Sequence, residues 1–361
     1  MRPEIPPVAD EMVRAARRRL GREDVAVGVA TPAEYAEIEA LSRAADPSEM
    51  KSVLTAELIA WFIDRNPCGR GFLVVARDPA SGGAIGYFLF YPWLLARRAA
   101  SGAERLPAFL YVHLYVAPPH RRRRVFGAMT AFGLDLAAQL GVGLAYTVPN
   151  PRSTPGFLKF GMTQAGVLPF WVRPAIPGWG LVAGAARDTS LAVQLVSELP
   201  AAVPDVTSML PPTVAMWSPR SAATCRWRYR DRPDCSYEIR QVTKAGAAVA
   251  IVVTRRMTIK GLRTLVVCDA WFSDSGPAAL RLAVDDALRA GERVHLAIAF
   301  GGSASAPYRQ ALRGAGFVVC PPALQPQPVA IIGGGVGGPE SRVEMPGADA
   351  WHLTPYDWDV F

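Results

Sequence analysis

Lysine, cysteine and histidine are scarce in this 361-residue sequence, and each scarcity excludes something. Only Lys51, Lys159, Lys244 and Lys260 carry a side-chain amine, so nearly all of the cationic charge is arginine. The planar guanidinium fork suits phosphate, although a coding bias toward Arg and Ala produces the same composition. The five cysteines (Cys68, Cys225, Cys235, Cys268, Cys320) are an odd number, with no C-x-x-C pair and no histidine at ligand spacing. That pattern argues against a zinc site or a disulfide framework, and no metal is expected. No apolar run is long enough to span a bilayer: residues 85–96 are too few and contain Pro92, and 166–186 are broken by Arg173 and by prolines. The second run, with Phe170, Trp171 and Trp179, reads as a buried strand and loop, contact with lipid or an apolar substrate being the alternative. Residues 1–10 hold Glu4, Asp10 and three prolines rather than an apolar core behind Arg2, so they do not read as a signal peptide. A reducing cytoplasm is the expected compartment.

What the sequence does have is apolar material for about two domains. Half of its residues are hydrophobic, which excludes general disorder. The net charge of +8 is a moderate excess that suits phosphate-bearing or acidic partners without naming one.

Periodicity and chain breakers predict a mixed α/β chain. Residues 14–20 read as a basic helical lead-in, 25–30 as a strand, 32–43 as a helix capped by Thr31, and 54–64 as a second helix. Strands over 72–76 and 84–90 flank a turn in which Gly82 and Gly83 tolerate positive φ, and 109–116 is a further strand. Val125, Met129, Phe132, Leu136 and Leu140 recur at spacings of three and four, which predicts a helix over 125–140 ended by Gly141. A strand over 143–148 and a short helix over 153–160 follow. Residues 91–106 carry no motif and read as a loop, with Trp93, Arg97 and Arg98 in either a lid or an ordinary surface turn.

The same order returns further along. Trp61 and Pro67 are matched by Trp227 and Pro233 at an offset of 166 residues, although the Trp-to-Pro spacing within each pair is also that of Trp171 and Pro177. Downstream come strands over 237–242, 247–254 and 263–268, a helix over 277–290, a strand over 294–300, and Leu312 to Gly316 in the place of Leu158 to Gly161. Two copies of one α/β unit are therefore expected, joined where proline clusters in 197–212.

The segment most informative about chemistry is YVAPPHRRRRVFGAM, Tyr115 to Met129. A strand ends, two prolines stop it, Arg121, Arg122, Arg123 and Arg124 follow, and the amphipathic helix begins. Unpaired N–H groups and the dipole at a helix N-terminus suit an anion such as a pyrophosphate; a solvated basic turn is the alternative. Val116-x-Pro118-x-x-Arg121 ahead of the helix, then Val148-Pro149-Asn150, then Pro155-Gly156-Phe157-Leu158-Lys159-Phe160-Gly161-Met162, resembles the GNAT superfamily of acyl-CoA-dependent N-acyltransferases. Phe126 matches the subgroup whose phosphate loop is followed by phenylalanine. The resemblance covers about residues 24–173 and, more weakly, a second copy over 205–320, with Trp351-His352-Leu353-Thr354 resembling a closing strand.

The resemblance implies an α/β fold of two GNAT-like mixed-sheet domains in tandem: a lead-in over 1–23, an acyl-CoA-binding domain over 24–200 and a degenerate copy over 201–361. It implies that the backbone of Leu114, Tyr115 and Val116 aligns the pantetheine arm, and that amides of Arg121 to Arg124, Val125, Phe126 and Gly127 hold the pyrophosphate. Asn150 and Ser153 would meet the arm from the neighbouring strand, and a splay between strands 109–116 and 143–148 would admit the thioester. The co-substrate would be acetyl-CoA or another acyl-CoA, and the acceptor an amine of a small molecule or of a cell-envelope or secondary-metabolite precursor. An acyl carrier protein is an alternative donor, and no DNA is expected.

The sequence also departs from that pattern. Arg122 and Arg124 stand where such loops carry glycine, Phe157 stands where a tyrosine often reprotonates the thiolate, and Leu110 and Val112 occupy positions that often hold a base. Catalytic candidates are then Tyr111, His113 and Tyr115, which share one face by alternation, and Tyr146. Buried core residues are the alternative reading of these side chains. The second copy has DAWFSDSG in place of the arginines, which would repel phosphate; there Asp269 could meet an amine, and Asp274 or Ser275 could cap the helix. An aminoacyl-tRNA-dependent transferase and a non-catalytic acyl-CoA-binding protein are the competing functional readings.

Overall fold

A computed structural model describes residues 5–45, 53–179, 188–200, 203–273, 275–325, 327–337 and 343–358. After α1 (Asp10–Leu20) come β1 (Ala26–Val29), α2 (Tyr35–Arg43) and α3 (Ala56–Ile63). The sequence entering α2 is fixed by Glu34, whose carboxylate accepts from the Thr31 N–H at 2.6 Å and from its hydroxyl at 2.8 Å. Next are β2 (Phe72–Arg77), β3 (Ala84–Ala99), β4 (Gly102–Val116), α4 (Val125–Gln139), β5 (Leu144–Thr147), α5 (Thr154–Lys159), β6 (Thr163–Leu168) and β7 (Phe170–Pro174). The second half runs β8 (Leu191–Val196), β9 (Met216–Trp217), α6 (Ala222–Tyr229), β10 (Glu238–Lys244), β11 (Ala247–Ile259), β12 (Leu262–Phe272), α7 (Gly276–Arg289), β13 (Leu296–Phe300), α8 (Ala306–Gly314), β14 (Val318–Val319), β15 (Val329–Gly335) and β16 (Trp351–His352).

These strands form two mixed sheets that trade a strand with each other. One has the order β1-β2-β3-β4-β5-β15-β6, with β9 joining β3 to β16; the other has the order β14-β7-β13-β12-β11-β10-β8. Thus β15, late in the chain, sits between β5 and β6, while β7, from the first half, sits between β13 and β14. In each sheet the first strands form an antiparallel meander that ends in one parallel pair, β4 with β5 and β12 with β13.

The repeat read from the spacing of Trp61 and Trp227 has a physical centre. Their indoles stack at 4.0 Å with planes 5° apart, and each Nε1–H donates to the other's backbone carbonyl at 3.0 Å. Such reciprocity is what an approximate two-fold axis between the copies requires. One face of the first sheet is covered by α1 and α4, whose Val125, Met129, Phe132 and Leu136 pack on Phe88, Phe90 and Phe109. The other face merges with the core of the second half.

One expectation fails plainly. Residues 91–106 are not a loop: they are the arms of the long β3–β4 hairpin, paired from Tyr91↔Leu110 out to Ala99↔Gly102. Pro92 escaped a strand reading because it lacks an N–H, but its carbonyl still accepts, from Asn66 Nδ2 at 2.9 Å. The far end of the apolar run 166–186 lies outside the described residues; its near part forms β6 and β7. Asp274 also lies outside them, and Ser275 takes the N-cap position of α7 without a side-chain cap bond.

Candidate acyl-donor site

The site is built where β4 leaves β5. Pairing between them runs Ala108↔Leu144, Phe109↔Ala145 and Leu110↔Tyr146 and then stops, so from Tyr111 onward that edge of β4 has no strand beside it among the described residues. On its other edge β4 carries a bulge: Leu89 pairs with Val112 and Tyr87 with Tyr115, which leaves His113 and Leu114 opposite Phe88 alone. His113 takes φ 49° to make it. The two strands therefore part toward the C-terminal end of β4, leaving a wedge between them.

The bulge corrects the expected shared face of Tyr111, His113 and Tyr115. Tyr111 belongs to the cluster beneath α4, 1% exposed, between Phe88, Phe90 and Phe157, with its hydroxyl on Met162 Sδ. One residue extra in the strand turns the alternation over, so His113 lies edge-on to Phe62 at 5.6 Å and Tyr115 faces Tyr87 at 5.7 Å, both on the opposite side. Burial alone raises Tyr111 well above the ordinary phenol range. Tyr146 is fully buried at the point of divergence; its hydroxyl donates to the Asp357 carbonyl at 3.1 Å and its ring meets Trp351 at 4.8 Å. Burial, with Asp357 nearby, raises it likewise. Phe157, in the place of the usual tyrosine, is buried against Tyr111 and Phe126.

At the open end of the wedge, a turn over Pro118–His120 delivers the four arginines to the first turn of α4. Arg122 and Arg124 stand at φ 65° and 58°, so the loop keeps the left-handed backbone that glycine would take there. Two non-glycine residues in that region cost about 1 kcal/mol or more each, a strain that the surrounding structure must hold. Two braces hold it. Arg22, forked onto Asp24 with Nε at 2.7 Å from Oδ1, donates to the carbonyls of Arg123 at 3.1 Å and Arg124 at 3.0 Å. Arg121 Nε donates to the Val116 carbonyl at 2.9 Å, and Arg123 meets His120 Nδ1 at 3.1 Å.

The start of α4 is in turn locked to α5. A Cβ at Gly156 would lie 2.7 Å from the Phe126 ring, and one at Gly127 would lie 2.7 Å from the Phe160 ring, so each helix accepts an aromatic ring of the other over a glycine. Asn150 organises the approach to α5: its Oδ1 accepts from the N–H groups of Arg152 and Ser153 at 2.9 Å, and the Ser153 hydroxyl donates to its carbonyl at 3.2 Å. The structure thus gathers Leu114, Tyr115, Val116, the four arginines, Val125, Phe126, Gly127, Asn150 and Ser153 around one wedge. The Arg22 brace and the reciprocal Phe–Gly contacts were missed; no spacing signal in the sequence connects residue 22 to 124 or 127 to 160. A cavity of about 520 Å³ beside α1, lined by Arg14, Arg17, Tyr35 and Phe72, shares no residue with the wedge.

The second copy repeats the geometry and fills it. β12 pairs with β13 up to Val267↔Ala299 and then diverges, and one extra residue, Cys268, makes a bulge against β11. The C-terminal segment occupies that gap: a Cβ at Gly301 would meet the Leu353 carbonyl at 2.0 Å, and Arg228 donates to the carbonyls of Pro355 and Trp358. Asp269 is not open to an amine. It is fully buried and taken by Arg220 at 3.0 and 3.1 Å, by the Thr354 hydroxyl at 2.9 Å and by the Tyr229 hydroxyl at 3.2 Å.

No protein-family model matches the chain, and no curated protein matches it. Solved structures do. A probable N-acyltransferase from Enterococcus faecalis aligns with a TM-score of 0.58 at 12% identity over 87% of this chain and 73% of that one. A GCN5-related N-acetyltransferase from Anabaena variabilis gives 0.57 at 10% over 86% and 72%. A tandem GNAT protein from the clavulanic acid biosynthesis pathway gives 0.53 at 13% over 87% and 99%. Yeast N-myristoyltransferase, solved with bound myristoyl-CoA, gives 0.54 at 10% over 86% and 83%. Among the described residues no group of acids, histidines and cysteines could hold a metal ion, and no helix is long and apolar enough to cross a membrane. The architecture is a GNAT fold used twice in tandem, as the motifs of the first copy implied.

Proposed function

We propose that the protein is an N-acyltransferase that moves an acetyl or other acyl group from acyl-CoA to the amine of a small molecule, using the copy over 24–200 while the copy over 201–361 serves as a structural half. The observation that carries this reading is the meeting of the β4–β5 wedge with a left-handed arginine turn at the N-terminus of α4. Amides of Arg121 to Gly127 would hold the pyrophosphate, aided by the helix dipole, and the backbone of Leu114 to Val116 would align the pantetheine arm. The thioester would then lie against the bulge, where backbone N–H groups of β4 would donate to the oxyanion.

Transfer needs the amine nitrogen to attack the thioester carbon, the C–S bond to break, one proton to leave the nitrogen and one to reach the sulfur. His113 and Tyr115, turned to the same face by the bulge, are the titratable side chains placed for those proton transfers, with positioning supplying most of the acceleration. A second reading, a binder of acyl-CoA without turnover, is favoured by Phe157 in the usual proton donor's place. Acetyl-CoA should raise the melting temperature under both readings. Release of free thiol in the presence of an amine panel is expected for the enzyme, and its absence with every amine would leave the binder. Arg122→Glu, which changes an exposed side chain that braces nothing among the described residues, should abolish the acetyl-CoA shift while the unliganded protein melts as before; an unchanged shift would mean the loop is only a solvated turn.

A further inference from the structure

The rim of the wedge is larger and more basic than a phosphate cradle made of backbone amides requires. The Arg122 and Arg124 side chains are exposed and make no hydrogen bond or ion pair among the described residues, since the loop's braces act on backbone carbonyls. The lock between α4 and α5 carries the rim further. It fixes α5 beside the phosphate loop, so exposed Arg152 and Lys159 lie around the same mouth. Between these cations are two large apolar side chains left in solvent, Leu158 at 43% and Phe160 at 39% exposure. Asp24, whose carboxylate lies near Arg123, is already engaged by Arg22.

Resting on the acyl-transfer reading, we propose that this rim is a docking surface for an acidic carrier protein that delivers the acyl group on a phosphopantetheine arm. The arm of such a carrier ends in one phosphodiester, which the loop amides can hold, and the carrier body then lies outside the wedge against Arg122, Arg124, Arg152 and Lys159. Charge of one sign around the mouth speeds and orients encounter with a body of the opposite sign. Leu158 and Phe160 supply the apolar contact that a protein surface uses as an anchor. An RNA donor would share the charge but not the anchor: stacking platforms for bases are built from several aromatic rings, and here an aliphatic side chain flanks one.

The probes are a type II acyl carrier protein in apo, holo and acetyl forms, acetyl-CoA, and bulk tRNA, titrated against the full chain. Leu158→Ser/Lys159→Glu changes exposed side chains outside the wedge, and a thermal melt checks that the fold persists. The acetyl and holo carriers should bind more tightly than the apo form, with affinity falling as salt is raised from about 50 to about 300 mM. The double variant should weaken carrier binding by about tenfold or more and acetyl-CoA binding by less than about threefold. The proposal is overturned if acetyl-CoA binds and the carrier does not, if the variant weakens both donors equally, or if the variant's loss appears with tRNA instead. If neither acetyl-CoA nor the carrier binds, the acyl-transfer reading itself falls, an outcome distinct from the first three.

Discussion

Lowering the pH should single out one buried imidazole. His352 is fully buried, its ring 5.5 Å from that of Tyr308, and neither of its nitrogens has a hydrogen-bond partner among the described residues. Burial, with the Arg220 charge nearby, lowers its pKa from 6.5 to about 3. The folded value lies below the unfolded one, so the unfolded chain takes up the proton first. The stability this group contributes is complete above its unfolded pKa and is lost as pH falls toward the folded value. From about pH 7 to about pH 5 that loss is roughly 2 kcal/mol, at ~1.4 kcal/mol per pH unit once titration is under way. Urea denaturation of the wild type and of His352→Phe across that range reads it, the phenylalanine keeping a ring against Tyr308. The wild type should lose about 2 kcal/mol more than the variant. Parallel losses would refute the reasoning. Asp357, whose carboxyl burial raises, works in the other direction, losing stability as pH rises through its own range, and it is common to both proteins.

Three further substitutions test the buried charges of the second copy and the contact between the copies. Arg220→Met would leave Asp269 and Asp357, both fully buried, without the guanidinium that faces them, and should cost about 3–5 kcal/mol in a urea titration. An effect below about 1 kcal/mol would show that those carboxyls are neutral in the fold and need no counter-charge. Trp61→Phe removes the donor to the Trp227 carbonyl and should cost about 1–3 kcal/mol. Combined with Trp227→Phe, the loss should be less than additive, because both changes break one reciprocal contact; strict additivity measured by chemical denaturation would contradict the paired geometry.

How much of this was legible depended on whether the signal was local. The helix over 125–140 and the strand–turn–strand units announced themselves by period and by glycine, and both copies were found where their order repeats. The hairpin arms over 91–106 were hidden because Pro92 and the run of arginines after Ala96 look like loop chemistry, whereas tertiary pairing, not propensity, makes them strands. The wedge was readable only through the motif that surrounds it. Its bulge was not, since one additional residue in a strand leaves no mark in a single sequence, and that residue decides which of Tyr111, His113 and Tyr115 look the same way. The strand exchange of β7 and β15 was equally silent: both are short apolar runs that could close either sheet.

The difference between the two copies is best understood as one geometry with two occupants. Each has a parallel pair that diverges and a bulge that turns side chains over, and an empty wedge of unpaired backbone between them would be costly to bury. In the second copy the chain satisfies that demand itself: Leu353 to Trp358 enters the gap, Thr354 and Arg220 take Asp269, and the acids of the loop have no anion to repel. In the first copy β4 and β5 part beyond Leu110, and four arginines form a strained turn at the mouth. Strain of that kind persists only where the surroundings over-determine it, and here Arg22 and the Phe126–Gly156 contact are positioned to do so. A fold that fills one wedge with its own late segment and braces the other open has, on the proposed function, divided stability and donor binding between its halves. On that argument, truncation before Trp351 should unfold the second half rather than create a second donor site, and a donor stoichiometry of two per chain in such a variant, measured by calorimetry, would show that the segment is a plug and not part of the core.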